Sequence, residues 1–282
     1  MNILSIQSHV AYGHVGNSAA VFALQRLGCE VWPVHTVQFS NHTGYGGWKG
    51  EVFAAGMIDA VVEGIVERGV LANCDGVLSG YVGSVEIGAA ILRAVGRVKA
   101  ANPGAVYCSD PVIGNRRRGV FVQKGVPEFF RERAIPLAQI VTPNHFELDR
   151  LIGDDSVEMA QVVAAIGLLH ARGPGAILVT SVEVNETPPN HLDVVASDGA
   201  AQYLVRTPKL AAPGNGAGDI IAALFLYHYL RSGGVAEALA WATSSVFGLL
   251  KRSGGEAEIA LVAGQDELVA PSQMFVPQRI GG

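Results

Sequence analysis

Short apolar runs alternate with longer stretches of helical period almost from one end of the chain to the other. Residues 2–7, 30–37, 76–79, 104–109, 140–142 and 176–180 read as strands. Between them, 16–27, 54–67, 84–100, 144–151 and 158–172 read as helices, the first placing Leu24 and Leu27 on the face of Ala20. Strand and helix in regular alternation predict an α/β fold, a mainly parallel central sheet with helices on both faces. After Thr180 the pattern changes. Two strand-like runs, 192–197 and 201–207, flank Asp198-Gly199 and predict a β-hairpin near 192–207. A loop over 209–215 then leads into two apolar helices, 217–230 and 235–251. No repeat, charge block or linker divides residues 1–282, so one domain is expected.

In sheets of this kind ligands lie beyond the carboxyl ends of the strands. The polar residues just past each strand are therefore the first candidates. They are Ser8, the 38–47 loop, Gly80-Tyr81, Asp110, the 142–147 segment, Thr180-Ser181 and the glycine loop before Asp219.

Composition narrows the class of partner. With 49% hydrophobic and 16% charged residues the chain is globular, and a net charge of -5 argues against nucleic acid. Cys29, Cys74 and Cys108 are odd in number and far apart, which implies neither a disulfide framework nor a metal cluster and suits a cytoplasmic setting. The N-terminal residues lack a basic-then-apolar leader pattern, and the apolar stretch at 220–230, interrupted by His228, is about half a membrane span. No membrane association is expected.

The sharpest chemical feature is Pro213-Gly214-Asn215-Gly216-Ala217-Gly218-Asp219 running into a helix. Glycines let the backbone approach a ligand, and the first amides of a helix form an anion site. Asp219 in the first turn can cap those amides or act as a base. The motif is not a dinucleotide fingerprint, because Asp219 stands where the third glycine belongs, and no Gly-Lys-Ser/Thr makes it a Walker loop. An anion hole beside a carboxylate suits phosphoryl transfer, which needs positioning, charge neutralisation and a base. Asp110, Asn144 and Glu147 offer hard oxygen ligands for a divalent metal. The 38–48 loop, rich in small polar and aromatic residues, suits a small aromatic ligand. His9, His14 and His42 share no metal-ligand spacing, and Arg116-Arg117-Arg118 could belong to a cover whose arginines meet phosphate.

These residues, taken together, resemble the pyridoxal kinase family of the ribokinase-like superfamily over nearly the whole chain. The resemblance is carried by Ser5-Ile6-Gln7-Ser8-His9, the 13–17 segment, and Val37-Gln38-Phe39-Ser40-Asn41-His42-Thr43-Gly44-Tyr45. Leu78-Ser79-Gly80-Tyr81, Asp110-Pro111-Val112, Thr142-Pro143-Asn144-His145-Phe146-Glu147 and the loop at 216–219 extend it. It implies an ATP-dependent kinase that phosphorylates the 5′-hydroxymethyl group of pyridoxal, with pyridoxine and pyridoxamine as further acceptors. By the same resemblance Ser8, Thr43 and Tyr81 contact the pyridine ring and its substituents, and Val37 and Phe39 wall it. Asp219 matches the base, and Gly216, Ala217 and Gly218 form the anion hole. Asp110, Asn144 and Glu147 match the nucleotide and Mg²⁺ side, and Thr142 lies near a monovalent cation, K⁺ or Na⁺. Thr180 and Ser181 match the triphosphate contacts, and Lys209 and Leu210 lie in the adenine-side loop over 209–212. Members are usually homodimers. Two departures stand out: Ala217 replaces the family's threonine, removing a hydroxyl but leaving the amide, and Asn115 stands near an aspartate of some members. The rival readings are a hydroxymethylpyrimidine or sugar kinase of the same fold, and a non-catalytic vitamin B6 carrier.

Overall fold

The computed structural model describes residues 1–210 and 215–281. Ala211 to Gly214, which include the end of the expected adenine-side loop and the start of the glycine motif, lie outside the described residues. In chain order the elements are β1 (Asn2–Val10), α1 (Asn17–Arg26), β2 (Glu30–Phe39), β3 (Gly50–Val52), α2 (Ala55–Glu67), β4 (Gly76–Ser79) and α3 (Val85–Ala101). There follow β5 (Val106–Ser109), β6 (Gly114–Asn115), β7 (Gly119–Val120), α4 (Val126–Phe129), β8 (Ile140–Val141), α5 (His145–Ile152) and α6 (Met159–His170). The chain continues through β9 (Ala176–Val182), β10 (His191–Ser197), β11 (Gln202–Pro208), α7 (Ala217–Ser232), α8 (Val235–Arg252), α9 (Asp266–Val269) and β12 (Gln278–Ile280).

Ten strands form one sheet in the order β12-β11-β10-β9-β8-β5-β4-β1-β2-β3. The six from β9 to β2 pair in parallel, while β3 and the β10–β12 meander add antiparallel edges. Because the parallel strands are covered on both faces, their residues divide between two cores. Leu4, Ile6, Ile177 and Val179 pack with α2, α3, α5 and α6, whereas Ile3, Ala176 and Leu178 pack with α1, α7 and α8. Nine successive residues of α7, Ile220 to His228, are buried, which explains an apolar pattern running around the whole helix. Among the described residues no helix is long and apolar enough to cross a membrane.

The expected strands and helices are present, with three corrections. β1 continues past an irregularity between Gln7 and His9 as far as Val10, since its pairing with β2 resumes there. Ser8 therefore lies inside the strand, not beyond it. β2 likewise runs on through Val37 to Phe39, where β3 pairs with it. Finally, the arginine triplet forms the turn of a separate two-stranded hairpin, β6–β7, and is not an open loop.

Candidate active site

The carboxyl ends of the parallel strands carry the candidate residues to one edge of the sheet. At the foot of α7, Gly216 is the residue before the first turn, with φ 90°, and no side chain caps the helix. Asp219 faces its own amide in the first turn, and the amides before it point outward with the positive end of the helix dipole. A Cβ at Gly216 would lie 1.7 Å from the His14 carbonyl oxygen, so only glycine lets the two loops meet. Gly16 is similarly pressed on Ser8, at 2.4 Å between a built Cβ and Ser8 Oγ. Its amide also faces the Asp219 carboxyl closely enough to lower it, so Gly16 stands between the expected substrate residue and the expected base.

Burial pushes the Asp219 carboxyl up to about 6, against the opposing pull of the Gly16 amide and its own amide. A base poised there is ionised at neutral pH yet basic enough to accept a proton.

Asp110 follows β5 and is buried; its carboxyl is pushed well above the usual range by burial, then by Glu147 and Asp219. Thr142, past β8, donates its hydroxyl to Asp110 Oδ1 at 3.1 Å. Glu147 is raised by burial too, although three backbone amides oppose the shift. Ile113 and Gly114 donate to Oε1 at 2.9 and 3.2 Å, and Asn144 donates to Oε2 at 2.8 Å. The Asn144 side chain accepts from the Glu147 amide at 3.0 Å, completing a reciprocal cap of α5, and donates to the Gly114 carbonyl at 2.8 Å. A buried carboxyl raised by two neighbouring carboxyls forms a site that favours a cation. Among the described residues no three His, Cys, Asp or Glu side chains surround a metal position. The donors fit Mg²⁺ of the kind that keeps waters and substrate phosphates, not a closed cage. Of the two, Asp110 keeps Oδ2 clear of these hydrogen bonds. Glu147, with both oxygens engaged by amides, would act through water.

On the acceptor side, Val10, Val15, Val37 and Phe39 form a third small apolar cluster, with Tyr81 packed against it. Trp48 extends the wall, its ring centroid 4.0 Å from that of Phe39. Thr43 opens a short turn at Thr43–Tyr45 and stays half-buried. Val37, Phe39 and Tyr81 thus share one apolar cluster, while Ser8 lies against Gly16.

Thr180 and Ser181 occupy a bulge where β9 holds one more residue than β10, and Ser181 takes a φ of 55°. It is the one non-glycine residue at positive φ among the described residues, a local strain that aims the strand end outward. Beyond it a pocket of about 270 Å³ is lined by Arg116, Glu183, Asn185, Thr187 and His191, among others. Arg116 reaches it from the β6–β7 turn, its guanidinium donating to His145 Nδ1 at 3.0 Å. Lys209 pairs with Glu183, which lines that pocket, and Leu210 is half-buried.

Sequence reasoning missed Glu258. Its carboxylate accepts from the His14 amide at 3.0 Å and from the Tyr45 hydroxyl at 2.7 Å, partners 244 and 213 residues away. No local signal announces such contacts.

The family model for phosphomethylpyrimidine kinase matches residues 40–258. A pyridoxal kinase PdxY of Granulibacter bethesdensis is 56% identical over 284 residues, covering 99% of each chain. That of Rubrobacter xylanophilus is 52% identical, covering 99% of this chain and 98% of its own. Among solved structures, the pyridoxal kinase of Leishmania donovani in complex with ADP and pyridoxamine superposes with a TM-score of 0.91 at 27% identity, covering 99% of each chain.

Proposed function

The chain belongs to the pyridoxal kinase family, and on that footing we propose that it moves the γ-phosphate of ATP to the 5′-hydroxymethyl oxygen of pyridoxal. The observation that carries the reading is the placement of Asp219. Its raised carboxyl stands at the uncapped start of α7, bridged through Gly16 to Ser8 and electrostatically joined to Asp110. The apolar cluster around Val37 and Phe39 offers one face for a pyridine ring, with Ser8, Thr43 and Tyr81 supplying polar contacts.

In this reading Asp219 accepts the 5′-hydroxyl proton as that oxygen attacks the γ-phosphorus in line and the bond to ADP breaks. The amides of Ala217 and Gly218 hold the oxygens of the transferring group, so alanine in place of threonine at 217 costs a hydroxyl but no backbone donor. Asp110, with Thr142 orienting it, holds the metal side, while Glu147 and Asn144 fix the start of α5. Mg²⁺, when bound, neutralises charge on the phosphates. A monovalent cation, K⁺ or Na⁺, beside Thr142 belongs to the same proposal. Thr180, Ser181 and Arg116 face the triphosphate, and the pocket beyond β9 receives the nucleoside.

Two expected results follow from the electrostatics. Because Asp219 works deprotonated and its carboxyl is raised to about 6, kcat/KM for pyridoxal rises with pH through that value. Below it the rate falls about tenfold per pH unit. A flat profile from about pH 5 to 8 would remove Asp219 from the proton transfer. Replacing Asp110 with Asn should raise the Mg²⁺ concentration for half-maximal activity about 10–100-fold while leaving the KM for pyridoxal unchanged. An unaltered Mg²⁺ requirement would place the metal elsewhere.

The family model is described as phosphomethylpyrimidine kinase, which keeps a substituted methylpyrimidine, tested as hydroxymethylpyrimidine, as the rival acceptor. Parallel turnover measurements on pyridoxal, pyridoxine, pyridoxamine and hydroxymethylpyrimidine decide between them. A higher kcat/KM for the pyrimidine would replace the acceptor and leave the phosphoryl chemistry standing.

A further inference from the structure

Three loops of the site meet on one side chain that the phosphoryl-transfer scheme does not use. Glu258 lies in the turn that follows α8. Its Oε1 accepts from Tyr45 Oη at 2.7 Å and from Asn215 Nδ2 at 3.4 Å, and its Oε2 accepts from the His14 amide at 3.0 Å. The Asn215 amide also donates to the Ala257 carbonyl at 2.7 Å, so the backbone beside Glu258 is joined to the segment that opens the anion hole. Tyr45 belongs to the loop after β2, His14 to the loop after β1, and Asn215 immediately precedes Gly216. The contact leaves no slack on the His14 side, since a Cβ built at Gly13 would lie 2.3 Å from Glu258 Oε2.

We propose that Glu258 is a positioning residue that couples the acceptor-side loop to the phosphate cradle, so that seating Tyr45 and shaping the anion hole are one event. The proposal rests on the kinase reading for its consequence in turnover, but not for the coupling itself. The chain of contact is continuous. Tyr45 binds Glu258, Glu258 holds the His14 amide, and the His14 carbonyl backs directly onto Gly216. A carboxylate serves because it accepts several hydrogen bonds at once, and the Tyr45 bond is charge-assisted. In agreement with that bond, the Tyr45 phenol is pushed up to about 12, mainly by its hydrogen bond to Glu258. From the opposite side the β6–β7 turn brings Arg118 against the same loop, where a Cβ at Gly44 would lie 3.6 Å from its guanidinium. Burial lowers the affinity of His42 for a proton, Arg118 lowers it further, and Glu258 opposes both.

Tyr45 is 45% exposed, so Tyr45→Phe removes the hydroxyl without disturbing a core. In the ligand-free protein, hydrogen exchange of amides 215–220 should become about fivefold faster in Tyr45→Phe and in Glu258→Gln, the equivalent of about one net hydrogen bond. In turnover, Tyr45→Phe should raise the KM for pyridoxal about tenfold with little change in kcat, as expected for one hydrogen bond to a charged group. Glu258→Gln should raise that KM and lower kcat as well, and the double variant should be no worse than Glu258→Gln alone. Unchanged exchange at 215–220 in Tyr45→Phe, or strictly additive kinetic effects, would overturn the coupling. Faster exchange in a protein whose wild type does not phosphorylate pyridoxal would sink the substrate reading and leave the coupling in place.

Discussion

Asp219→Ala is expected to lower kcat for pyridoxal phosphorylation by about 10²–10⁴ while changing the KM for either substrate little, since the loss falls on proton transfer. The size follows from what the carboxyl is asked to do. An alcohol keeps its proton at neutral pH, and no other carboxyl of the site stands at the uncapped start of α7. Asp110 and Glu147 are raised further by burial and are engaged by Thr142 and by three amides. Glu147 cannot take over the proton without leaving its amides, and Asp110 is committed in this reading to the metal. Asp219→Asn makes the sharper comparison, because it keeps the shape and the contact from Gly16 and removes only the basicity. If Asn restores turnover that Ala lacks, Asp219 positions and does not act as base.

Gly216→Ala is the second large effect. At φ 90° an alanine is strained by about 1–2 kcal/mol on backbone grounds alone. Its Cβ would also lie 1.7 Å from the His14 carbonyl, so either the 13–16 loop or the start of α7 must shift. Whichever moves, the amides that open the helix lose their aim at the transferring group. The expected loss in kcat is about 10²–10³, comparable to removal of an oxyanion donor. Thermal unfolding measured alongside should show a modest decrease in midpoint and a cooperative transition. Full activity in a folded Gly216→Ala protein would mean that the anion is held elsewhere.

Much of this arrangement could be read from residue order, for identifiable physical reasons. The parallel strands are buried on both faces, so 76–79 and 176–180 appear as short, mainly apolar runs that end in a polar residue between helical periods. The hairpin at β10–β11 is announced by Asp198-Gly199. What escaped is short, exposed or long-range. All three residues of β3 are exposed, and β6–β7 is built from glycine, asparagine and valine around three arginines, so neither carries alternation. The extension of β1 through Ser8 depends on pairing that resumes past an irregularity, which residue order does not display. At the site, Asp219, Asp110 and Glu147 were visible because strand ends and a glycine loop mark them. The bulge that puts Ser181 at positive φ and the convergence of His14, Tyr45 and Asn215 on Glu258 exist only once the chain is folded.

The most direct measurement is ATP-dependent formation of pyridoxal 5′-phosphate from pyridoxal by the purified protein, with Mg²⁺ and K⁺ present and Asp219→Ala run in parallel. The expected result is stoichiometric product and ADP from the wild type, and at most about a hundredth of that rate from the variant. Binding of pyridoxal without product would contradict the kinase account and favour a carrier of the vitamin, and equal rates from the two proteins would remove Asp219 from the chemistry.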